Sequence, residues 1–549
     1  MNLSYMIAVF VLLTGFVAEA RPVESSKIMI SAANQTAVDA GLEIARKGGN
    51  LIDVSVAVGL TLAVTNPFNA SLGGGGFAMF KQGKDPVRVL DFREVAPKAT
   101  HPKFYLEQSQ NDASRTGAKA VAVPGMLAGW WELHSQYGKL KWKKVIQPAI
   151  DAAEDGFPLF GAWVDRTERQ KPRFDAIGTK TFFKKNEASY APGELMKQPE
   201  LAKALKRIRS YGASDFYEGR IGKDLVKSLK KRGGVITMKD LKSYKVRWLE
   251  PLTTDFKGHK AYMMPPPSSG GVVIAAALRL VEKAKLENTE SLSANEFHYL
   301  IEVLKLAFRG RSLLGDPDFH KNPIDKLLSD AYLDPMVKGL KRKKAIQLKP
   351  LKEKTFNESN ETTHFSVIND QGEAFSSTVT LNGGFGSAVV TDKYRISLNN
   401  EMDDFTTRPG EANMFGLIQG QGNEVVAGKR PLSSMSPTLI EKDGKIVLSL
   451  GAPGGPRIIT GVFHALYRYL VRGQDIDSAI QARRVHHQFL PDKVIIDGNR
   501  FAPETLNELK KRGHNIEPGW MARVYAVGAQ NGRLQGAFDS RAEGAAGGY

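Results

Sequence analysis

Apolar positions recur at helical spacing over the first two-thirds of the chain and at strand spacing after it. In Ala37 to Lys47, Val38, Leu42 and Ala45 share one stripe, and Gly48-Gly49 then predicts a helix end. Leu51 to Val64 is apolar on every side and stops at Asn66-Pro67, which predicts a short helix buried all round. Trp130 to Tyr137, Lys143 to Glu154, Leu201 to Tyr211, Lys223 to Arg232, Val272 to Lys285 and Ala294 to Ser312 predict further helices. After Thr362 the texture changes. Phe365, Val367, Ala374, Phe375, Val379 and Leu381 flank an Asn369-Asp370-Gln371-Gly372 turn, as in a β-hairpin. Leu439 to Leu450 turns at Asp443-Gly444 and Val524 to Gly536 at Asn531-Gly532, both hairpin signatures. There is no tandem repeat, and by pattern alone helices followed by hairpins would also suit two domains.

The two ends of the helical part carry different information. Ile7 to Val17 is an apolar run followed by Ala18-Glu19-Ala20, a small-x-small cleavage site before Arg21-Pro22, so residues 1–20 read as a cleavable signal peptide. Residues 1–6 contain no Lys or Arg, so the N-terminal amine alone supplies the usual positive end. The run is short for a membrane span and no other segment looks like one, so no stable span is expected and the product is periplasmic or secreted. The net charge of +18 rises to +19 when Glu19 leaves with the leader. Eight of the positive charges lie between Lys338 and Lys354 with no interleaved aromatic residues, a solvated tail rather than a nucleic-acid surface. The absence of cysteine excludes disulfides, thiolate metal sites and cysteine nucleophiles.

The polar, Lys-rich tract from 338 to 361 meets the first strand at Glu361-Thr362-Thr363-His364. A hydroxyl residue where an exposed linker enters a buried strand suits self-cleavage. The Thr362 hydroxyl can attack the carbonyl of Glu361 and free its own α-amino group. Such an amine titrates near pH 7.7 to 8.0, so it can serve as base for its own side chain. Taken alone, these residues also fit an ordinary Thr-rich strand start.

Further blocks follow one another in a fixed order. They are Gly48-Gly49-Asn50, Asn66-Pro67 to Leu72-Gly73-Gly74-Gly75-Gly76-Phe77, Arg93-Glu94 with Ala96-Pro97, Val123-Pro124-Gly125 and Gly156-Phe157. Then come Met264 to Gly271, Gly315-Asp316-Pro317-Asp318, Thr362-Thr363-His364, Thr380-Leu381-Asn382, Asn400 to Phe405, Arg430 to Thr438 and Gly454-Gly455. Together they resemble the γ-glutamyltranspeptidases, a family of N-terminal-nucleophile hydrolases, from about residue 27 to 549. The resemblance implies an α+β fold, a four-layer αββα sandwich with strands from both sides of the cut. It implies a large subunit of residues 21–361 and a small one of 362–549. Thr362 would be the nucleophile, Thr380 its orienting partner, and Gly454-Gly455 the oxyanion hole. Arg93 would grip the substrate α-carboxylate with Ser433 and Ser434, and Asp404 would face the α-ammonium with Glu401 and Asn382. Pro409 to Gly420 matches a lid loop in which some relatives carry a Tyr bonded to the residue matching Asn382; here Phe415 stands there and lacks the hydroxyl.

No cofactor or metal is implied. His486-His487 would point apart on a helix, Asp316 and Asp318 fall in a block without a catalytic role in the family, and Asp403-Asp404 would face opposite ways in an extended segment. Gly73 to Gly76 lacks the Gly-Lys-Ser/Thr ending of a phosphate loop and reads as close backbone packing. The expected substrate is glutathione or a related γ-glutamyl compound, with an amino acid, peptide or water as acceptor. The rivals are a glutaryl or cephalosporin acylase of the same fold and a non-enzymatic periplasmic binding protein.

Overall fold

Two antiparallel sheets, each seven-stranded among the described residues, lie face to face at the centre of the molecule. The computed structural model describes residues 22–110, 112–348 and 361–549, and the leader expected at 1–20 lies outside them. The first sheet runs Ala545–Gly548, Ile28–Ala32, Thr363–Asn369, Ala374–Thr380, Gly75–Lys81, Arg88–Phe92 and Arg247–Leu249. The second runs Val23–Ser25, Arg533–Phe538, Tyr525–Gln530, Lys445–Gly451, Thr438–Lys442, His259–Met263 and Leu252–Phe256. Each sheet mixes strands from before and after Thr362, so the two halves of the sequence share one core instead of forming two domains. Small hydroxyl residues let the sheets approach and bond across the gap. Ser376 Oγ donates to the Leu450 carbonyl at 3.0 Å and Ser449 Oγ to that of Phe375 at 2.9 Å.

Helices cover both outer faces. Gln35–Arg46, Leu51–Thr65 and Met126–Tyr137 pack on the first sheet, Gly270–Lys283 and Arg457–Leu470 on the second, and Ala294–Phe308 packs outside Gly270–Lys283. Leu51–Thr65 is buried along its whole length. Its start is fixed by a capping box, in which Asn50 and Asp53 each accept the other's backbone N–H. The layers are therefore helix, sheet, sheet, helix, the αββα sandwich expected. Among the described residues, no helix is long and apolar enough to cross a membrane.

The predicted hairpins form with their turns in place; Asp443 and Gly444, and Asn531 and Gly532, all take positive φ. Three expectations change. The stretch after Thr362 also contains helices, Arg457–Leu470, Ile476–Gln481 and Pro503–Lys511. Lys143 to Glu154 breaks at Ile146, because Pro148 opens the second piece and cannot continue a helix begun before it. Ala294 to Ser312 stops at Phe308, and Arg311–Leu313 forms a separate 3-10 turn.

Candidate active site

Thr362 enters strand Thr363–Asn369, which is paired on both sides within the first sheet, and that placement fixes its hydroxyl. Its Oγ1 lies 3.2 Å from Oγ1 of Thr380, at the end of the paired strand. The backbone N–H of Asn382 donates to the same Thr380 oxygen at 2.8 Å, which leaves the Thr380 proton for Thr362. Thr362 itself sits at φ +143°, a region that branched residues avoid and that costs on the order of 1–3 kcal/mol. The glycine run behind it is close backbone packing, as its sequence suggested. A Cβ on Gly74 would lie 2.2 Å from the Thr380 carbonyl oxygen, and one on Gly75 2.6 Å from Glu94 Oε2.

One pocket collects all but one of the predicted site residues. Arg93, Thr362, Thr380, Asn382, Glu401, Asp404, Ser433, Ser434 and Gly455 line it, and Gly454 is the neighbour of the last. The Gly pair joins strand Lys445–Gly451 to helix Arg457–Leu470 with φ of +130° and +54°. Neither N–H is bonded to a backbone carbonyl among the described residues, so both remain available as donors. Phe415 closes this side, since a Cβ on Gly455 would lie 2.7 Å from its ring. Asn382 Nδ2 meets Met414 Sδ of the same loop at 3.9 Å, a weak acceptor where a tyrosine hydroxyl would be a strong one.

The opposite wall is a buried cluster of charges. Arg93 Nη2 donates to Asp404 Oδ2 at 2.6 Å, Nη1 pairs with Glu401, and Nε donates to the Pro431 carbonyl at 3.3 Å. Burial opposes the Arg93 charge, but Glu401, Asp404 and Glu94 outweigh it and hold its pKa above the ordinary value. Burial pushes all three carboxyl groups up, Glu94 to about 7. Among the described residues, both oxygens of Glu401 and both of Glu94 lack a directed hydrogen bond, the Arg93 contact with Glu401 being an ion pair without bond geometry. Asp403 and Asp404 lie in a 3-10 turn and not in the extended segment expected, yet they do part. Asp403 accepts from Ser114 Oγ and the Met414 N–H while Asp404 turns to Arg93.

The profile of the family described as gamma-glutamyltranspeptidase matches residues 37–549. The chain belongs to the γ-glutamyltranspeptidase family. It is 38% identical over 536 residues to the glutathione hydrolase proenzyme of Pseudomonas aeruginosa, covering 94% of this chain and 93% of that one. It is 38% identical over 532 residues to the corresponding proenzyme of Escherichia coli K12, covering 95% and 91%. A solved structure of a cephalosporin acylase from Bacillus halodurans superposes with a TM-score of 0.86 at 24% identity, covering 99% of both chains. At that identity the likeness concerns the fold, which is that of the N-terminal-nucleophile hydrolases.

Two features of this γ-glutamyltranspeptidase-family pocket escaped the sequence. Arg311 lines it as a second buried guanidinium, donating from Nη1 to Gln419 Oε1 at 3.1 Å and reaching Ser434 Oγ from Nη2 at 3.4 Å. Its Nε has no acceptor among the described residues, and burial lowers its pKa to about 10. The signal was its position just before Gly315-Asp316-Pro317-Asp318, but helical periodicity absorbed it into a longer helix. Glu94 was noted only as part of a motif, although it stands beside Arg93 with Nη1 at 3.9 Å from Oε2.

Proposed function

We propose that this protein is an exported γ-glutamyltranspeptidase and glutathione hydrolase, periplasmic or secreted, that matures by cutting itself between Glu361 and Thr362. Residues 21–361 become the large subunit and 362–549 the small one, and the shared sheets hold them together. The observation that carries this reading is the joining of two chemistries in one pocket. A threonine hydroxyl held by a second threonine lines the same pocket as a guanidinium paired with Asp404 and Glu401.

In turnover, the freed Thr362 amine takes the proton of Oγ1 as the oxygen attacks the γ-carbonyl of the substrate. The N–H groups of Gly454 and Gly455 stabilise the oxyanion as the tetrahedral intermediate forms. The intermediate collapses to a γ-glutamyl ester on Thr362, and the amine returns the proton to the departing nitrogen. Water or the amino group of an amino acid or peptide then attacks the ester and restores the hydroxyl. Arg93, with Ser433, Ser434 and the nearby Arg311, holds the α-carboxylate. Asp404, Glu401 and Asn382 accept from the α-ammonium, whose three N–H groups add donors to a Glu401 carboxylate otherwise served by the Arg93 ion pair.

That arrangement favours γ-glutamyl over glutaryl substrates, which lack the ammonium and would leave Glu401 and Asp404 to share the Arg93 charge with the substrate carboxylate. The test is to determine intact masses and then compare γ-glutamyl and glutaryl anilides. The protein should yield two chains, the smaller starting at Thr362, and prefer the γ-glutamyl anilide by about 10³-fold or more in kcat/KM. Thr362→Ala should remain one chain without activity. Equal use of both anilides would point to an acylase, and cleavage of Thr362→Ala at the same bond would remove Thr362 as the cutting group.

A further inference from the structure

The residue before the scissile bond is fixed as firmly as the one after it. Glu361 is buried, although a glutamate at the end of a polar linker would ordinarily face water. Its Oε2 lies 3.2 Å from Nη1 of Arg166, on helix Gly161–Gln170. The same Nη1 donates to Asn69 Oδ1 at 3.3 Å, and the guanidinium lies over the Phe68 ring, 4.9 Å from its centre. Glu361 Oε1 is pressed toward Gly384, where an added Cβ would come within 3.1 Å of it. Both members of the pair are more than nine-tenths buried as residues, so neither is a surface ion pair. Across the peptide bond, Thr362 is held at φ +143° with its hydroxyl against Thr380.

We propose that Arg166 and Glu361 form a clamp that positions the peptide bond for self-cleavage and takes no part in turnover of γ-glutamyl substrates. The proposal rests on the reading that Thr362 cuts the bond before it. In that step Thr362 Oγ1 attacks the Glu361 carbonyl carbon, the C–N bond breaks, and the nitrogen leaves with the hydroxyl proton as a free amine. Water then cleaves the resulting ester, leaving the Glu361 carboxylate and restoring the Thr362 hydroxyl. Arg166 gains and loses nothing in either step, so it is a positioning residue. An unanchored linker would let Thr362 relax to an ordinary φ by swinging the Glu361 carbonyl away from the hydroxyl. Holding the Glu361 side chain in a recess removes that freedom. Arg166 does not line the substrate pocket, whose cations are Arg93 and Arg311.

The experiment follows the appearance of the Thr362 N-terminus by mass after a pulse of synthesis, then measures turnover of a γ-glutamyl anilide by the matured fraction. Arg166→Met should slow maturation by about tenfold or more, the effect of a small misplacement of reacting groups. Its matured fraction should keep kcat and KM within about twofold of wild type. Exchanging the charges, Arg166→Glu with Glu361→Arg, should recover most of the rate lost by Arg166→Glu alone, which a merely structural defect would not do. The clamp is overturned if Arg166→Met matures at the wild-type rate, or if its turnover falls as far as its maturation. An exchange variant that matures no faster than Arg166→Glu also overturns it, and that comparison decides the matter if Arg166→Met does not fold. Cleavage of Thr362→Ala at the same bond would instead defeat the reading of Thr362 as the cutting group.

Discussion

Two guanidinium groups share one buried pocket, and their surroundings separate them. Arg93 is bordered by Glu401, Asp404 and Glu94, so its charge is secured at every working pH. Among the described residues Arg311 has only Gln419 and Ser434 as side-chain hydrogen-bond partners, and burial draws its pKa down to about 10. Arg93 was legible in the sequence because it stands in a motif beside Glu94. Arg311 was not, because a single arginine in a helical pattern carries no sign of burial. The planar fork of Arg93 contacts Asp404 and Glu401 from separate nitrogens, and Lys could offer only a point charge there. Arg93→Lys should therefore lose about 2 to 4 kcal/mol of transition-state binding on a γ-glutamyl anilide while still maturing to two chains. Steady-state kinetics on the fully processed variant measure this directly, and unchanged kcat/KM would exclude Arg93 from substrate binding.

At the scale of elements, legibility followed the strength of local turn chemistry. Asp443-Gly444 and Asn531-Gly532 announce hairpins because their positive φ values admit few other residues. Helix Arg457–Leu470 went unread because the hairpin signals on either side suggested strands throughout. Its Ile458, Ile459, Val462, Phe463 and Leu466 fall at helical spacing, and all are buried in the core under the second sheet. The lost continuity at Ile146 had a sequence cause, Pro148, that amphipathic periodicity outweighed. The turn between strand Lys445–Gly451 and helix Arg457–Leu470 is where element geometry becomes chemistry. At Gly455 the φ of +54° costs an L-residue about 1–2 kcal/mol, and a Cβ would sit 2.7 Å from the Phe415 ring. Gly455→Ala should displace the N–H donors or the aromatic wall and lower kcat by about 10²-fold, with a smaller change in KM. A variant that matures normally and keeps wild-type kcat would remove this turn from the oxyanion hole.

For the whole molecule, the shared sheets make folding a property of both halves together. Strand Thr363–Asn369 is bonded on one side to Ile28–Ala32, far earlier in the chain, and on the other to its own hairpin partner. The helices and hairpins could be read locally, but this pairing could not, because strand order depends on contacts hundreds of residues apart. The core so formed also buries ionisable groups, and these set its response to pH. Burial pulls His364, His464 and His514 down to about 3 and lowers His298, His486 and His487 as well. The unfolded chain takes up protons on these rings near their ordinary pKa of 6.5, whereas the folded chain resists them, until near 3 at His364, His464 and His514. Their stabilising effect is thus present above pH 6.5 and is lost as pH falls toward 3. Glu94 acts in the opposite sense. Its pKa is raised by burial from 4.5 to about 7, so its contribution is full below 4.5 and is lost as pH rises through 7. With six histidines against Glu94 and its raised neighbours Glu401 and Asp404, the midpoint of thermal unfolding should fall on acidification from about pH 6.5 to pH 4. Glu94→Gln fixes the uncharged form. It should raise the midpoint most at about pH 8, change it little near pH 4.5, and so steepen the rise of stability with pH. Calorimetry of both proteins across this range tests the claim, and a Glu94→Gln difference that is constant with pH would show that Glu94 does not titrate as its burial requires.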